Sequence, residues 1–401
     1  MPGLTPTLAI AFVSILWVEL VRDVYHALSH VWQPLYKLHV WHHKVFKRDL
    51  TPVNETIYRQ AHWYNDVPEA LVMLAFSLLP WSVAYSYHLP YGWLGGAGSA
   101  YTVMFLAGAV ARGMGVPGVH ELTDITHSPG EFEALPASWF VNRPYHWRHH
   151  FDDQNAYFSG TFTLVDKVMG TALSLKGKKV AVTGASGTLG KALLKELKLA
   201  GARVTALTTS GSEIFLDGET KPVKTQSWTT GQEQELADLL EKIDILILNH
   251  GVNVGNARND QAINQSYEVN AFSQLRLMEL FFQTIRNNQD VATKEIWLNT
   301  SEAESNPAFS PLYELSKRTL GDLITLRRLD APCIVRKLIL GPFKSNLNPI
   351  GIMSAEKVAK SIVKQAKQDN RNIIVTINPL TFITFPIKEF CNSLYFRLFS
   401  E

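Results

Sequence analysis

Histidine is the residue type best placed to do chemistry in this chain. Of the 13 histidines, 12 fall within the first 150 residues and the other is His250. His26 and His30 form HxxxH, His39, His42 and His43 form HxxHH, and His146, His149 and His150 repeat HxxHH. On a helix, positions i, i+3 and i+4 project from one face, so each box can offer two or three imidazoles to one metal or a close pair. His127 and His120 stand in the segment between the boxes. One HxxxH alone is a weak signal, since a lone histidine near a membrane more often caps a helix or meets a headgroup. Many imidazoles crowded together without a metal would lose hydration and repel one another when protonated. Ligation needs neutral imidazole and removes both penalties. An all-nitrogen set suits Zn, Fe, Cu or Ni. A structural zinc takes four ligands, so this many histidines imply two metals. Haem fits poorly, because axial ligation uses isolated histidines facing a macrocycle.

A second set of residues could hold a nucleotide. Thr183 to Gly190 reads TGASGTLG, after the apolar run Lys179 to Thr183 and before a helical pattern. Glycines there permit a tight turn and close approach of a pyrophosphate to a helix N-terminus. Downstream come Asn249 and Gly251 at a strand end, Asn270 in a helical run, and Ser301 after the strand Glu295 to Thr300. Tyr313 and Lys317 lie one helical turn apart. A lone YxxxK is common as a surface pair; its place in this order is what gives it weight. Thr208, Thr209 and Ser210 follow the second strand without an acid for a ribose 2′-hydroxyl, which leans toward NADP(H) over NAD(H).

Both sets need elements to position them. The chain has 401 residues and a net charge of +2, which bounds it to two or three domains and argues against nucleic acid. Its two cysteines, Cys333 and Cys391, form no metal motif and fit a reducing compartment. The N-terminus lacks the basic start and cleavage site of a signal peptide. Residues 4–21 form a first expected membrane span, with Glu19 costing about 3 kcal/mol at worst. Ala70 to Ala111 contains no Asp, Glu, Lys or Arg and is broken at His88 to Gly92, which predicts a hairpin of two spans. The alternative is a pair of buried helices in a soluble core. Arg22, Lys37, Lys44, Lys47, Arg48 and Arg59 precede the hairpin, and Arg112, Arg143 and Arg148 come after it. The positive-inside rule then places the boxes together on the cytoplasmic face. From Lys179 onward strands and helices alternate, as in a parallel α/β domain. Ile387, Phe390, Cys391, Leu394, Tyr395 and Leu398 share one face of a last amphipathic helix, suited to a membrane surface, to the nucleotide pocket or to its own domain.

The order of Asp23 to His30, Leu38 to His43 and Pro144 to His150, with the tail Asn155 to Thr171, resembles the fatty acid hydroxylase/sterol desaturase superfamily over about residues 10–172. The TGxxGxxG turn, Ser301, Tyr313 and Lys317 resemble the short-chain dehydrogenase/reductases over residues 178 to about 380. Asn249-His250-Gly251 in place of Asn-Ala-Gly, and Gly341-Pro342 in place of Pro-Gly, depart from that pattern. The fusion resembles the cyanobacterial-type bifunctional sterol desaturase/short-chain dehydrogenases.

The resemblance implies a multi-pass helical membrane domain with a cytoplasmic histidine-rich cap over 1–172, a linker at 173–178, and a parallel-sheet Rossmann domain over 179–401. It implies two Fe, with Zn as a substitute, held by His26, His30, His39, His42, His43, His120, His127, His146, His149 and His150. His62 is expected to be structural, and a re-entrant piece near 135–141 is expected as a fourth segment. The chemistry implied is O₂-dependent hydroxylation or desaturation of a bilayer lipid, fed by an external ferredoxin or cytochrome donor. In the second domain Tyr313 exchanges a proton, Lys317 lowers its pKa and holds the ribose, Ser301 steadies a carbonyl and Asn270 supports a water relay. Gly184, Ser186, Gly187, Leu189, Gly190, Thr208, Asn249 and Gly251 complete the cofactor set, with Tyr313 and Lys317. Two readings compete with this one. In the first, the chain is a membrane-anchored short-chain reductase whose histidines bind metal without oxygenase activity. In the second, both halves are binding modules.

Overall fold

The computed structural model describes residues 4–400, and the chain divides into two compact units, Met1–Ala172 and Leu173–Glu401. The first unit opens with helix α1 (Leu4–Val31), succeeded after Trp32 by α2 (Gln33–Lys44). Pro34 sits in the first turn of α2, where a missing N–H breaks no bond and the chain can change direction. The end of α1 and the whole of α2 thus carry the first two histidine boxes. Helix α3 (Glu55–Ala61) is capped by Asn54, whose side chain accepts from the Ile57 amide at 2.8 Å. It continues through a π-turn, His62–Asp66, into α4 (Val67–Ser86). A turn through His88 and Tyr91, both at positive φ, leads back into α5 (Ala97–Met114).

Among the described residues, two helical stretches are long and apolar enough to cross a membrane, Glu55–Ser86 and Gly92–Met114. Leu71, Phe76, Leu79, Val103 and Met104 stand exposed on them. The first expected span lies within α1, which is not one of the two. That helix carries Glu19, Arg22 and Asp23, and Glu19 pairs with Arg22 at 2.5 Å. The expected re-entrant piece is also not seen. Residues 135–141 are irregular, held by the Phe140–Phe162 bridge and by Asn142, which donates to the Leu135 carbonyl. Helix α6 (Arg143–Phe151) comes next, capped by the same Asn142 and buried from Pro144 to His150.

The second unit is a parallel sheet. Its strands are β1 (Lys179–Thr183), β2 (Arg203–Thr208), β3 (Lys224–Ser227), β4 (Ile245–Leu248), β5 (Glu295–Asn299), β6 (Ile334–Leu340) and β7 (Asn372–Val375). Among the described residues they lie in the order β3-β2-β1-β4-β5-β6-β7. Every residue of β4 and β6 is buried, as a sheet covered by helices on both faces requires. Strand order reverses direction between β1 and β4, which opens a crevice at their carboxyl ends. Helix α7 (Thr188–Leu199) starts there. Helix α8 (Pro311–Arg327) presents the Tyr–Lys pair, α9 (Ala355–Lys367) packs on α7, and α10 (Thr381–Phe399) closes the unit.

Candidate metal groups and nucleotide cleft

The first unit gathers its histidines into two groups. Nitrogens of His26, His30, His39 and His149 lie within 4.8 Å of one another, as do those of His42, His127, His146 and His150. Helix α2 feeds both groups, because His39 and His42, three residues apart, turn to different centres. Helix α6 does the same with His149 and His150, which are about 100° apart around the axis. In the second group the Nε2 atoms of His127, His146 and His150 form a triangle with sides of 3.0, 3.1 and 3.1 Å. Ligands at right angles on a metal with bonds of about 2.1 Å stand roughly 3.0 Å apart. Three ring nitrogens at this spacing cannot all be satisfied by one another's protons, so the geometry suits a cation.

The far side of several rings is fixed. His149 Nδ1 donates to the Ala156 carbonyl at 2.8 Å, His39 Nδ1 is 2.8 Å from Asn65 Oδ1, and His127 Nδ1 is 2.6 Å from Asp124. Each contact leaves the Nε2 lone pair aimed into its group. Burial and the neighbouring imidazoles hold His42, His146 and His150 well below the usual histidine range. His39 is lowered to about 4 and His149 to about 3, mainly by burial. The rings are therefore neutral, as ligation demands. Asp166 braces α6 from behind. It accepts from the Phe158 and Ser159 amides, Thr171 Oγ1 and Tyr145 Oη, all within 2.9 Å.

Two histidines expected as ligands fall outside the groups. His43 stands between them, its Nε2 3.0 Å from His39 and 3.4 Å from His30, with its ring 5.2 Å from that of His150. His120 lies in neither group. It sits on a short helix, Val119–Thr123, with its Nδ1 2.6 Å from Tyr58 Oη and 3.5 Å from Asp124. His62 is held by Asp66 at 2.6 Å and also lies outside both groups. Sequence reasoning missed Asn65 and Asp124. Asp124, three residues before His127, carried a local signal; Asn65 carried none.

The second unit has a cleft of about 840 Å³ lined by Gly184, Ser186, Gly187, Leu189, Thr208, Asn249, Gly251, Ser301, Tyr313 and Lys317, among others. Gly184 is at φ +61°, and a side chain there would meet the backbone of His250. A Cβ at Gly190 would lie 2.2 Å from the Gly184 carbonyl, so helix and strand pack only with glycine at that position. Gly190 itself does not line the cleft and acts through that packing. Gly187 caps α7 without a side-chain hydrogen bond, leaving its first amides to an anion. These features fit a dinucleotide.

Around the cleft, Tyr313 and Ser301 both line the wall, and the Tyr313 phenol is pushed up by burial. Lys317 is buried, lowered to about 8 by loss of hydration, and donates to the Asn299 carbonyl at 2.8 Å. Asn270, in a π-turn, is spent on the Val252 backbone at 2.8 Å and on Ser316 at 3.0 Å. It sits beside Gly251 and holds that loop rather than bonding Lys317 directly. His250 replaces the small residue of the pattern with a ring stacked edge-on against Trp228, its Nδ1 2.8 Å from Thr183 Oγ1.

Among known proteins, the family model described as NAD dependent epimerase/dehydratase family matches residues 180–311. The monoglucosyldiacylglycerol epimerase of Synechocystis sp. is 62% identical over 400 residues, covering 98% of this chain and 98% of its own. Among solved structures, a short-chain dehydrogenase from Burkholderia cenocepacia J2315 in complex with NADP is 20% identical, covering 57% of this chain and 100% of its own, with a TM-score of 0.45. The NADPH-dependent 3-quinuclidinone reductase from Rhodotorula rubra is 17% identical, covering 51% and 91%, with a TM-score of 0.41.

These findings overturn the expectation of an O₂-dependent di-iron lipid hydroxylase or desaturase. The protein that matches this chain nearly end to end, histidine-rich part included, is an epimerase, and the matching family model describes epimerases and dehydratases. With that expectation go the sterol desaturase and iron-oxygenase assignments. The physical reason is that imidazole spacing reports what can be ligated; it does not report which reaction the ligated ion takes part in.

Proposed function

The chain belongs to the monoglucosyldiacylglycerol epimerase family, and on that premise we propose that it is a membrane-anchored glycolipid epimerase using NADP(H) in its second unit. Inverting a carbinol centre on a sugar requires its C–H bond to break and re-form from the opposite face. A bound nicotinamide supplies a reversible acceptor and donor for that carbon-bound hydrogen. Tyr313 takes the hydroxyl proton as the carbonyl forms and returns it when the carbonyl is reduced. Lys317, a buried cation one turn along α8, favours the phenolate. Ser301 donates to the sugar oxygen as its charge changes, and Asn270 keeps the Gly251 loop shaped. Gly184, Ser186, Gly187, Leu189, Thr208, Asn249 and Gly251 hold the dinucleotide, and Gly190 keeps α7 against the sheet. The absence of an acid at Thr208 to Ser210 favours the 2′-phosphate. The overall reaction is redox-neutral, so it consumes neither O₂ nor electrons from a ferredoxin or cytochrome.

The first unit anchors the protein and binds metal without oxygenase activity. Its two histidine groups suit two ions, iron or zinc by ligand type, with His43 available to either. A bound ion supplies the charge that ties rings from α1, α2 and α6 into one body. The basic residues flanking the apolar hairpin support a multi-pass placement with the histidine groups and the second unit on the cytoplasmic side. Residues 173–178 open the second unit, with Leu173 and Leu175 buried in its core.

The observation that carries this proposal is the convergence of Ser301, Tyr313 and Lys317 on one cleft with the glycine turn. The test is to incubate the reconstituted protein with monoglucosyldiacylglycerol and NADP⁺ or NADPH and to read the headgroup configuration by NMR. An inverted headgroup, absent with Tyr313→Phe, is expected. An unchanged headgroup with both cofactors would refute the proposal.

A further inference from the structure

The last helix is amphipathic in the inverted sense: its polar side faces its own domain. Thr381, Phe385 and Glu389 are buried on that side. Glu389 receives Lys337 at 2.6 Å, Arg328 at 2.9 Å and Thr325 at 3.0 Å. Lys388 pairs with Asp322 at 2.7 Å and Glu304 at 2.8 Å, and Asn392 donates to Asp322 at 2.8 Å. These bonds fix the rotation of α10. The opposite side carries Ile383, Ile387, Phe390, Leu394 and Leu398, all exposed. Of the helix's three charged residues two face inward, and the exposed one is basic Arg397.

The start of α10 lies beside the segment that leads into the mouth of the cleft, and that mouth has an apolar rim of its own. At the start of α10, Asn306 donates to Thr381 at 3.1 Å. Three residues on, Phe309 is held at φ +58° and is 94% exposed. Next to it Ser310 bonds Asn253, which donates to the Leu347 carbonyl, and Ile350 beyond it is 90% exposed. Phe309, Leu347, Ile350 and Ile352 all line the cleft. A non-glycine residue held in the left-handed region with its aromatic ring in water costs free energy on both counts.

We propose that the outer face of α10 and the apolar rim of the cleft together dock on a lipid surface, so that the cleft opens onto the bilayer and a glycolipid headgroup reaches Tyr313 while its acyl chains stay in the membrane. Three features select lipid over protein as the occupant. The face carries no acid to repel lipid phosphates, and its one exposed charge is cationic. The helix cannot cross a bilayer, because its inner side is pinned by ion pairs, so it lies on the surface. Any protein covering the face would also cover the mouth, whereas a bilayer both covers it and supplies the substrate. This last point rests on the glycolipid reading; the first two do not.

The test uses the full chain in proteoliposomes. Cys391 is exposed on the outer face and Cys333 is buried, so a thiol-reactive bimane labels Cys391 selectively. Lipids brominated on their upper acyl carbons are expected to quench that label. They should not quench a label at Lys364→Cys on α9 in a Cys391→Ser background. Equal quenching at both sites, or none at Cys391, would overturn the proposal. So would pyrene excimers at Cys391 that persist on dilution with excess lipid, since these would mark a second copy on the face. Phe390→Glu with Leu394→Glu should abolish the quenching and raise KM for bilayer glycolipid several-fold, leaving the NADPH Kd unchanged. Quenching without headgroup inversion would keep the docking and reject the epimerase reading.

Discussion

On the proposed reading Tyr313 and Lys317 carry the chemistry, and their surroundings set its pH dependence. Removing the phenol in Tyr313→Phe should lower turnover by about 10²- to 10⁴-fold with NADPH affinity retained, as read by headgroup NMR and cofactor fluorescence. Burial lowers Lys317 from 10.5 to about 8. The ammonium is therefore present below about 8 and lost above it, and with it goes an attraction for the cofactor's negative charge. NADPH binding should weaken as pH rises through that value, and Lys317→Arg, which stays charged, should flatten the profile. A flat wild-type profile would contradict this role. Among the histidines, His149→Ala and His146→Ala should each lower bound metal measured by mass spectrometry, while His120→Ala should not, because His120 is engaged with Tyr58 and Asp124. The sequence reading favoured His127 and carried His120 beside it as a further candidate ligand. The structure separates them, since of the two only His127 joins a histidine group, and no spacing rule encodes that.

At the scale of elements, much of the second unit was legible. Strands of uninterrupted β-branched and leucine residues, such as Ile245 to Leu248, announce a buried parallel sheet, and the glycine turn Gly184 to Gly190 marks the start of α7. In the first unit the boxes were legible as ligand-bearing helices. Their partition into two groups was not, because it depends on how α2 and α6 cross. Position 270 reads as helix in sequence, yet it lies in a π-turn, where the extra residue turns Asn270 onto the Val252 backbone. Asp166 is the element-level brace for α6. Asp166→Ala would leave the Phe158 and Ser159 amides, Tyr145 and Thr171 short of an acceptor, and should cost about 3 kcal/mol or more in stability. The thermal midpoint would fall and metal content would drop with it, while cofactor binding in the second unit persists.

The whole molecule joins a helical unit with two histidine groups and two long apolar helices to a parallel-sheet unit with a glycine-turn cleft, and the histidines misled the sequence reading about which of the two performs the reaction. Their number and order point to metal, and metal beside lipid suggests an oxidant, but none of those residues defines a substrate pocket. The cleft of about 840 Å³ lies in the second unit. Stripping metal should therefore lower the thermal midpoint of the first unit, since ligation energy is folding energy, without abolishing NADPH binding. The most direct test of the central claim supplies glycolipid deuterated at the inverting carbon to the reconstituted protein under argon. The account predicts an inverted headgroup that retains its deuterium, because the hydrogen leaves and returns on the same cofactor. A product that forms only with O₂, or one that has exchanged its deuterium for solvent hydrogen, would contradict it.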